Sequence, residues 1–180
     1  MRFAAITALL LLAPAAGASA QPRVPDTAMW GVGGDIGIFV PHEGALNSAL
    51  DLQGLAEYYF TPRVSLRTAL GWTSPSFEGR EDDGLRVTRL TMDVQYNWEY
   101  GKIHPFVGGG FGVYFLRLIE NGEGAGDTQS DGGIVFGGGI EYFTSRTLTV
   151  KGEGRYHIAN DDVVPDGTGF SLTIGTKKYF

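Results

Sequence analysis

The sequence has 180 residues, a formal net charge of −6, 28 glycines and no cysteine. The lack of cysteine excludes disulfides, catalysis by a thiol and zinc binding through cysteine. The net negative charge argues against nucleic acid as a partner. The three histidines are dispersed and no spacing of histidines and carboxylates is typical of a metal site, so we expect no metal or cofactor.

The first twenty residues are typical of an export signal that is cleaved off. Arg2 supplies a positive start, a short apolar run follows, and Ala18 and Ala20 form a small-x-small cleavage site. The apolar run is well short of the ~20 residues that a membrane-spanning helix needs, which argues against an uncleaved anchor. We therefore predict a signal peptide over 1–20 and one mature domain over 21–180.

The mature chain consists of segments in which apolar and polar residues alternate. In one segment Leu90, Met92 and Val94 alternate with Thr91 and Asp93. The segments cover 30–40, 50–60, 64–73, 89–98, 105–116, 133–143, 147–158 and 169–180. A period of two is typical of a β-strand, and about ten residues is the length of a tilted strand that crosses a bilayer. The pattern predicts an all-β fold, a closed antiparallel eight-stranded transmembrane β-barrel.

The polar faces of these segments carry a nearly balanced set of charges. The set is Asp35, Asp51, Glu57, Arg67, Arg89, Asp93, Glu141, Lys151, Glu153, Arg155 and Lys177. The interior of an eight-stranded barrel is just wide enough to be filled by side chains, and charges held away from water persist when they are paired. We therefore expect a salt-bridged network that closes the interior; the alternative is that these residues line a hydrated conduit.

Aromatic residues concentrate at the ends of the segments, as in the girdles that membrane barrels place at the lipid headgroups. At one end we expect Tyr58, Tyr59, Phe60, Tyr96, Trp98, Tyr100, Phe106, Tyr142, Phe143, Tyr179 and Phe180. At the other end we expect Phe39, Trp72, Phe77, Tyr114, Phe115, Tyr156 and Phe170. A soluble lipocalin-like barrel also alternates, but it leaves this distribution unexplained.

Short and long connections alternate along the chain, and the long ones are predicted over 41–49, 75–84, 118–132 and 160–167. In membrane barrels the short turns face the periplasm and the long loops face the exterior. The long connections contain twelve of the twenty acidic residues, namely Glu43, Glu78, Glu81, Asp82, Asp83, Glu120, Glu123, Asp127, Asp131, Asp161, Asp162 and Asp166. These acids indicate solvated loops; an alternative is that they hold divalent cations shared with lipopolysaccharide.

Several features together resemble the small outer-membrane β-barrel family, which includes the OmpA transmembrane domain, OmpX and the opacity-type surface proteins. They are the signal peptide, the glycine-rich strand over 105–114, the similar aromatic hairpins at 57–63 and 141–146, and the terminal Phe180. The resemblance implies a location in the outer membrane of a Gram-negative-type bacterium, with membrane lipid and lipopolysaccharide as neighbours. It also implies a charge network inside the barrel.

The C-terminal segment is similar to the barrel-assembly signal of that family at Thr173, Gly175 and Phe180. Lys178 departs from the pattern, because an apolar residue is expected there. Its stem can lie against lipid while its amine reaches the interface. The resemblance implies that the barrel-assembly machinery recognises this segment.

A lipid A-modifying enzyme is a distant alternative, because the segment around His157 resembles the active-site region of outer-membrane deacylases. Asp161, Asp162 or Asp166 would supply the acid in such a site. However, Ala159 stands where the nucleophilic serine is required, and alanine offers no nucleophile to activate. We therefore predict that the protein is not an enzyme.

The function predicted from these observations is that of a membrane anchor for acidic extracellular loops. Its role would be in envelope integrity or in contact with surface or host molecules. A narrow, low-conductance channel for small solutes is the alternative. No motif in the loops names a ligand, since function in such folds lies in sites grafted onto the scaffold.

Overall fold

The computed structural model describes residues 25–42, 44–99, 101–159 and 167–180. The predicted signal peptide, with its cleavage site at Ala18 and Ala20, lies outside these residues. Within them, no helix has the length and apolar character needed to cross a membrane.

The described residues form one antiparallel sheet of nine strands. The strands are β1 Trp30–Pro41, β2 Ala49–Thr61, β3 Val64–Thr73, β4 Ser76–Phe77, β5 Arg80–Asn97, β6 Ile103–Glu120, β7 Glu123–Phe143, β8 Leu148–Ala159 and β9 Gly169–Tyr179. The first long strand pairs with the last, and β3 pairs with β5, so the sheet closes on itself. The prediction of a closed eight-stranded antiparallel barrel is confirmed, with β4 as a short additional strand beside β5.

Three short connections lie at one end of the barrel, which we call the turn end. They join β2 to β3, β5 to β6, and β7 to β8. In the first of them the Thr61 hydroxyl accepts hydrogen bonds from the backbone N–H groups of Arg63 and Val64, which stabilises the tight reversal. Both ends of the barrel sheet, Trp30 and Tyr179, lie at this end as well. The opposite end is called the loop end.

The loop end differs from the prediction, because β5, β6 and β7 continue into segments that were expected to be loops. These strands have 18, 18 and 21 residues. The predicted loop over 118–132 is wrong, since β6 and β7 are joined directly at Asn121 and Gly122. Both residues have a positive φ, 52° and 79°, which is the backbone conformation of a two-residue hairpin turn. The acidic residues of this region therefore lie on a sheet that extends beyond the other strands.

Along the barrel wall, successive side chains alternate between the inside and the outside. In β5, for example, Arg89, Thr91 and Asp93 are buried, whereas Leu90 and Met92 are exposed. This arrangement, with charges inside and apolar side chains outside, is the reverse of a soluble protein and suits a barrel surrounded by lipid.

The same alternation divides the aromatic residues, and the prediction that all of them form outer girdles is wrong. Neighbouring residues on a strand point to opposite faces, so only part of each aromatic group faces outward. The rings buried inside the barrel are Phe39, Tyr59, Phe106, Tyr114, Phe143 and Tyr179. The rings that remain outside include Tyr96 and Tyr142 at the turn end and Trp72 and Phe115 at the loop end, and Tyr58 at the turn end is half-buried.

Candidate functional site: the barrel interior

The structure places all eleven of the charged side chains singled out in the sequence inside the barrel, each at most 6% exposed. They are Asp35, Asp51, Glu57, Arg67, Arg89, Asp93, Glu141, Lys151, Glu153, Arg155 and Lys177. Their side-chain ion pairs divide them into three groups along the barrel axis.

The central cluster consists of three acids and three bases: Asp35, Arg67, Asp93, Lys151, Glu153 and Arg155. Glu153 accepts hydrogen bonds from Arg67, Lys151 and Arg155. Lys151 Nζ also lies 2.8 Å from Asp35 Oδ2. Arg155 binds both carboxylate oxygens of Asp93, at 2.9 and 3.0 Å. Because the charges balance, the buried ions compensate one another.

The central cluster ties together walls that are far apart in the sheet. Lys151, Glu153 and Arg155 occupy successive inward positions of β8, so charges of alternating sign lie along one strand face. Arg67 reaches Glu153 from β3, which lies four strands away around the barrel. Asp93 reaches Arg155 from β5, three strands away. The ion pairs therefore cross the lumen and do not merely line it.

The turn-end cluster consists of Lys177 held between Glu57 and Glu141. The Tyr179 hydroxyl donates a hydrogen bond of 2.5 Å to Glu141, and the Ser65 hydroxyl donates to Glu57. The cluster has two acids and only one base. The two hydroxyl groups donate hydrogen bonds to the carboxylates and so help to stabilise the negative charge that Lys177 does not balance.

An aromatic plug, made of Tyr59, Phe143 and Tyr179, covers the turn-end cluster. The rings of Phe143 and Tyr179 are stacked with their centroids 5.4 Å apart. The Tyr59 hydroxyl accepts a hydrogen bond of 3.1 Å from Lys177. The prediction of an outer girdle is wrong for these rings, although the two-residue period of each strand was sufficient to place them inside.

The third group, toward the loop end, contains Arg89 and Asp51. Arg89 Nη2 donates a hydrogen bond of 2.6 Å to Asp51 Oδ2. The Phe39 ring lies 5.7 Å from the Arg89 guanidinium. Nearby, His157 Nδ1 and the Tyr114 hydroxyl lie 3.1 Å apart, at hydrogen-bond distance.

An apolar cap closes the barrel above this group. It consists of Leu46, Leu85, Val87, Tyr114, Leu116 and Ala159. Ala159 is buried in the cap, so the position that a deacylase would need for its serine packs against hydrophobic side chains. The acids proposed to assist His157, at positions 161, 162 and 166, lie outside the described residues.

The assembly-signal residues lie along β9 and just beyond it. Thr173 faces the interior, and Gly175 pairs with Asp35 on one side and Lys151 on the other. Phe180 is 66% exposed, and its backbone exchanges hydrogen bonds with Trp30. The Lys178 amine lies 5.1 Å from the centroid of the Phe180 ring, so the unexpected lysine contacts the terminal aromatic ring.

The acidic residues of the loop end do not form a cation site in the part of the chain that is described. Within it, no group of three or more histidines and carboxylates is placed to hold a metal ion. Asp83 instead lies 3.4 Å from Arg80 and accepts a hydrogen bond of 2.9 Å from the backbone N–H of Asn121. This contact holds the start of β5 against the β6–β7 turn.

Solved structures of similar shape include bacterial outer-membrane barrels. Neisserial surface protein A has a TM-score of 0.66 and 13% identity, with 84% of this chain and 96% of that chain covered. The N-terminal β-barrel domain of Pseudomonas aeruginosa OprF has a TM-score of 0.63 and 13% identity, with 86% and 98% covered. The attachment invasion locus protein Ail of Yersinia pestis has a TM-score of 0.56 and 10% identity, with 86% and 99% covered. At these identities the likeness establishes the fold.

No functionally curated protein matches the sequence. A protein family does match, over residues 6–177, and its description is "Outer membrane protein beta-barrel domain". The match spans nearly the whole chain and agrees with the closed barrel and its apolar outer wall. The chain therefore belongs to the outer membrane protein β-barrel domain family.

Proposed function

We propose that the protein is a non-enzymatic outer-membrane anchor with a closed interior, which holds its loop-end sheet and acidic loops at the cell surface. The observation that supports this proposal is the filling of the described interior by side chains. From the turn end to the loop end these are the aromatic plug, the turn-end cluster, the central cluster, the Arg89–Asp51 pair and the apolar cap. A solute would have to displace paired buried charges, which is costly in a low-dielectric interior.

The proposed orientation places the turn end in the periplasm and the loop end outside the cell, as is usual for barrels of this class. The extended part of β7, residues 123–132, pairs with β6 and has no second partner strand among the described residues. An unpaired strand edge with polar side chains is a surface on which a partner can bind. This supports a role in envelope integrity or in contact with surface or host molecules. A solved structure of Ail contains the heparin analogue sucrose octasulfate, so one barrel of this fold has been seen with an external ligand.

The refolded mature protein should be electrically silent in planar bilayers. An opened variant, with Arg67→Ser, Glu153→Ser, Tyr179→Ser and Tyr114→Ser, should show discrete conductance steps, because it removes one crossing ion pair, part of the plug and part of the cap. The pair is removed as a unit so that no unpaired charge remains. Single-channel recording is the measurement.

The control is Arg67→Ser with Glu153→Ser alone, which should remain silent because the plug and the cap are intact. Insertion of each protein is checked by tryptophan fluorescence and by protease protection in the same lipid. Steady conductance of the inserted wild type would overturn the anchor proposal and favour the narrow channel.

We also propose that Thr173, Gly175 and Phe180 serve as the signal read by the barrel-assembly machinery. Deletion of Phe180 should lower the amount of folded protein in the outer membrane severalfold, whereas Phe180→Tyr should retain it. Folded protein is measured in membrane fractions by the difference in gel mobility between heated and unheated samples. The Phe180 deletion should still refold in detergent; if it fails there too, the residue acts through its backbone pairing with Trp30 and not through recognition.

A further inference from the structure

The outward-facing wall of the barrel carries almost no charge. Tyr142 marks one end of this wall, and Trp72 and Phe115 mark the other. Among the described residues, every outward-facing side chain between these two levels is apolar or uncharged. At the turn end the first charge is Lys178. At the loop end the first charges are two arginines, Arg86 on β5 and Arg117 on β6.

The two arginines occupy one height on the wall. Trp72, Thr88 and Phe115 form a cross-strand row on β3, β5 and β6. Arg86 and Arg117 lie two positions farther along their strands, about 6–7 Å toward the loop end at ~3.3 Å per residue. Aromatic rings of membrane barrels lie at the level of the lipid headgroups, so we expect the two arginines at the outer side of that layer, within reach of headgroup phosphates.

Arg86 and Arg117 are directly opposite each other in the β5–β6 register. Like charges at such positions repel each other. In the described part of the chain, neither guanidinium forms an ion pair with a carboxylate. Arg86 Nε is buried and has no hydrogen-bond partner. The Arg117 guanidinium lies over Gly124 of β7 and donates a long hydrogen bond of 3.5 Å to the backbone oxygen of that residue. The pair therefore has donors and positive charge that the protein itself does not neutralise.

We propose that Arg86 and Arg117 together bind the phosphate of an outer-leaflet lipid headgroup. Guanidinium groups bind phosphate through paired charge-assisted hydrogen bonds, and a bound phosphate anion would relieve the repulsion between the two arginines. The proposal rests on the orientation given above, in which the loop end faces the exterior.

The surroundings favour a lipid over a phosphate from solution. Trp72 and Phe115 lie on the membrane side of the arginines and offer apolar surface to acyl chains. On the other side lie the acids at the rim, including Asp82, Asp83 and Glu120, which repel soluble anions. A lipid avoids that rim because it arrives by lateral diffusion within the membrane.

The test compares two forms of one lipid. The mature protein is refolded in detergent, and binding of lipid A is measured by native mass spectrometry beside lipid A from which both phosphates have been removed. The wild type should bind the phosphorylated form at least about tenfold more tightly, since charged hydrogen bonds typically contribute that much or more. The Arg86→Gln, Arg117→Gln double variant should bind both forms equally.

Two control variants each remove one positive charge elsewhere. Arg80→Gln acts at the loop end on an arginine already near Asp83, and Lys178→Gln acts at the opposite rim; both should keep the tenfold preference. An equal loss in Arg80→Gln would show that only net charge matters and would overturn the site. So would full competition by millimolar inorganic phosphate, which would assign the arginines to free phosphate.

The wild-type comparison stands even if the double variant fails to refold, because equal binding of the two lipids by the wild type refutes the proposal without any variant. The outcome is also separable from that of the conductance experiment. A silent barrel that does not distinguish the two lipids would refute the lipid site alone, whereas a conducting barrel that does distinguish them would refute only the closed interior.

Discussion

Replacing Arg67 with glutamine should lower the free energy of unfolding by about 3–5 kcal/mol, the usual effect of removing one partner of a buried ion pair. Arg67 is 1% exposed and contacts Glu153 and Asp35 from across the lumen. Its removal leaves the central cluster with three acids and two bases, all of them buried. The measurement is urea unfolding of the protein refolded in lipid vesicles, followed by tryptophan fluorescence.

The chain offers a matched control four residues away. Arg63 is 59% exposed and lies 4.0 Å from Glu99, so Arg63→Gln should cost less than about 1 kcal/mol, as is usual for a surface pair. Equal effects of Arg63→Gln and Arg67→Gln would mean that the central cluster does not depend on its charge balance.

A double variant tests the balance directly. Arg67→Gln combined with Glu153→Gln removes one base and one acid, and it leaves Lys151 with Asp35 and Arg155 with Asp93. The double variant should therefore be more stable than the sum of the two single effects predicts, by roughly 1–3 kcal/mol of coupling energy. Simple additivity would show that Arg67 and Glu153 act independently.

The second large effect is expected for Gly175→Ala. Gly175 faces inward between Asp35 and Lys151, and the ion pair between these residues passes over it. A Cβ atom at this position would overlap Asp35 Oδ1 and the backbone oxygen of Gly34. Overpacking of this kind typically costs about 1–3 kcal/mol, and displacement of Asp35 from Lys151 adds to that cost.

Gly152→Ala is the control, because Gly152 lies beside Lys151 but faces outward, and nothing lies within 4 Å of an added Cβ. Its stability should change by less than about 1 kcal/mol. Refolding in vesicles also separates packing from assembly, since no assembly machinery is present there. A Gly175→Ala protein that is fully stable in vesicles yet absent from the outer membrane of cells would show that Gly175 serves recognition and not interior space.

The barrel and the identity of its inward charges followed from local geometry. Successive residues of a strand point to opposite faces, so a polar residue such as Asp93 between Met92 and Val94 is assigned to one face without knowledge of any partner. The same rule places Tyr59 and Tyr179 inside the barrel. The prediction of an outer girdle missed this because it treated neighbouring aromatic residues as one group, although neighbours on a strand face opposite sides. The hairpin at Asn121 and Gly122 also carried a local signal, since Asn-Gly is the preferred pair for a two-residue turn.

The extension of β7 was harder to predict, because its residues 123–132 are glycine-rich and polar on both faces. Such a segment has no apolar periodicity from which to assign a strand. It is a strand because β6 lies beside it and supplies backbone hydrogen bonds.

Along the barrel wall, the sequence by itself determined which side chains face outward and which face the interior, because that assignment depends only on the two-residue period of each strand. Only the tertiary structure decided which of them meet. Arg67 and Glu153 are 86 positions apart, and they are joined because barrel closure and the stagger between strands place them at one height. Arg86 and Arg117 face each other for the same reason, since the β5–β6 register aligns them. Pairings of this kind are properties of the closed sheet and not of any one strand.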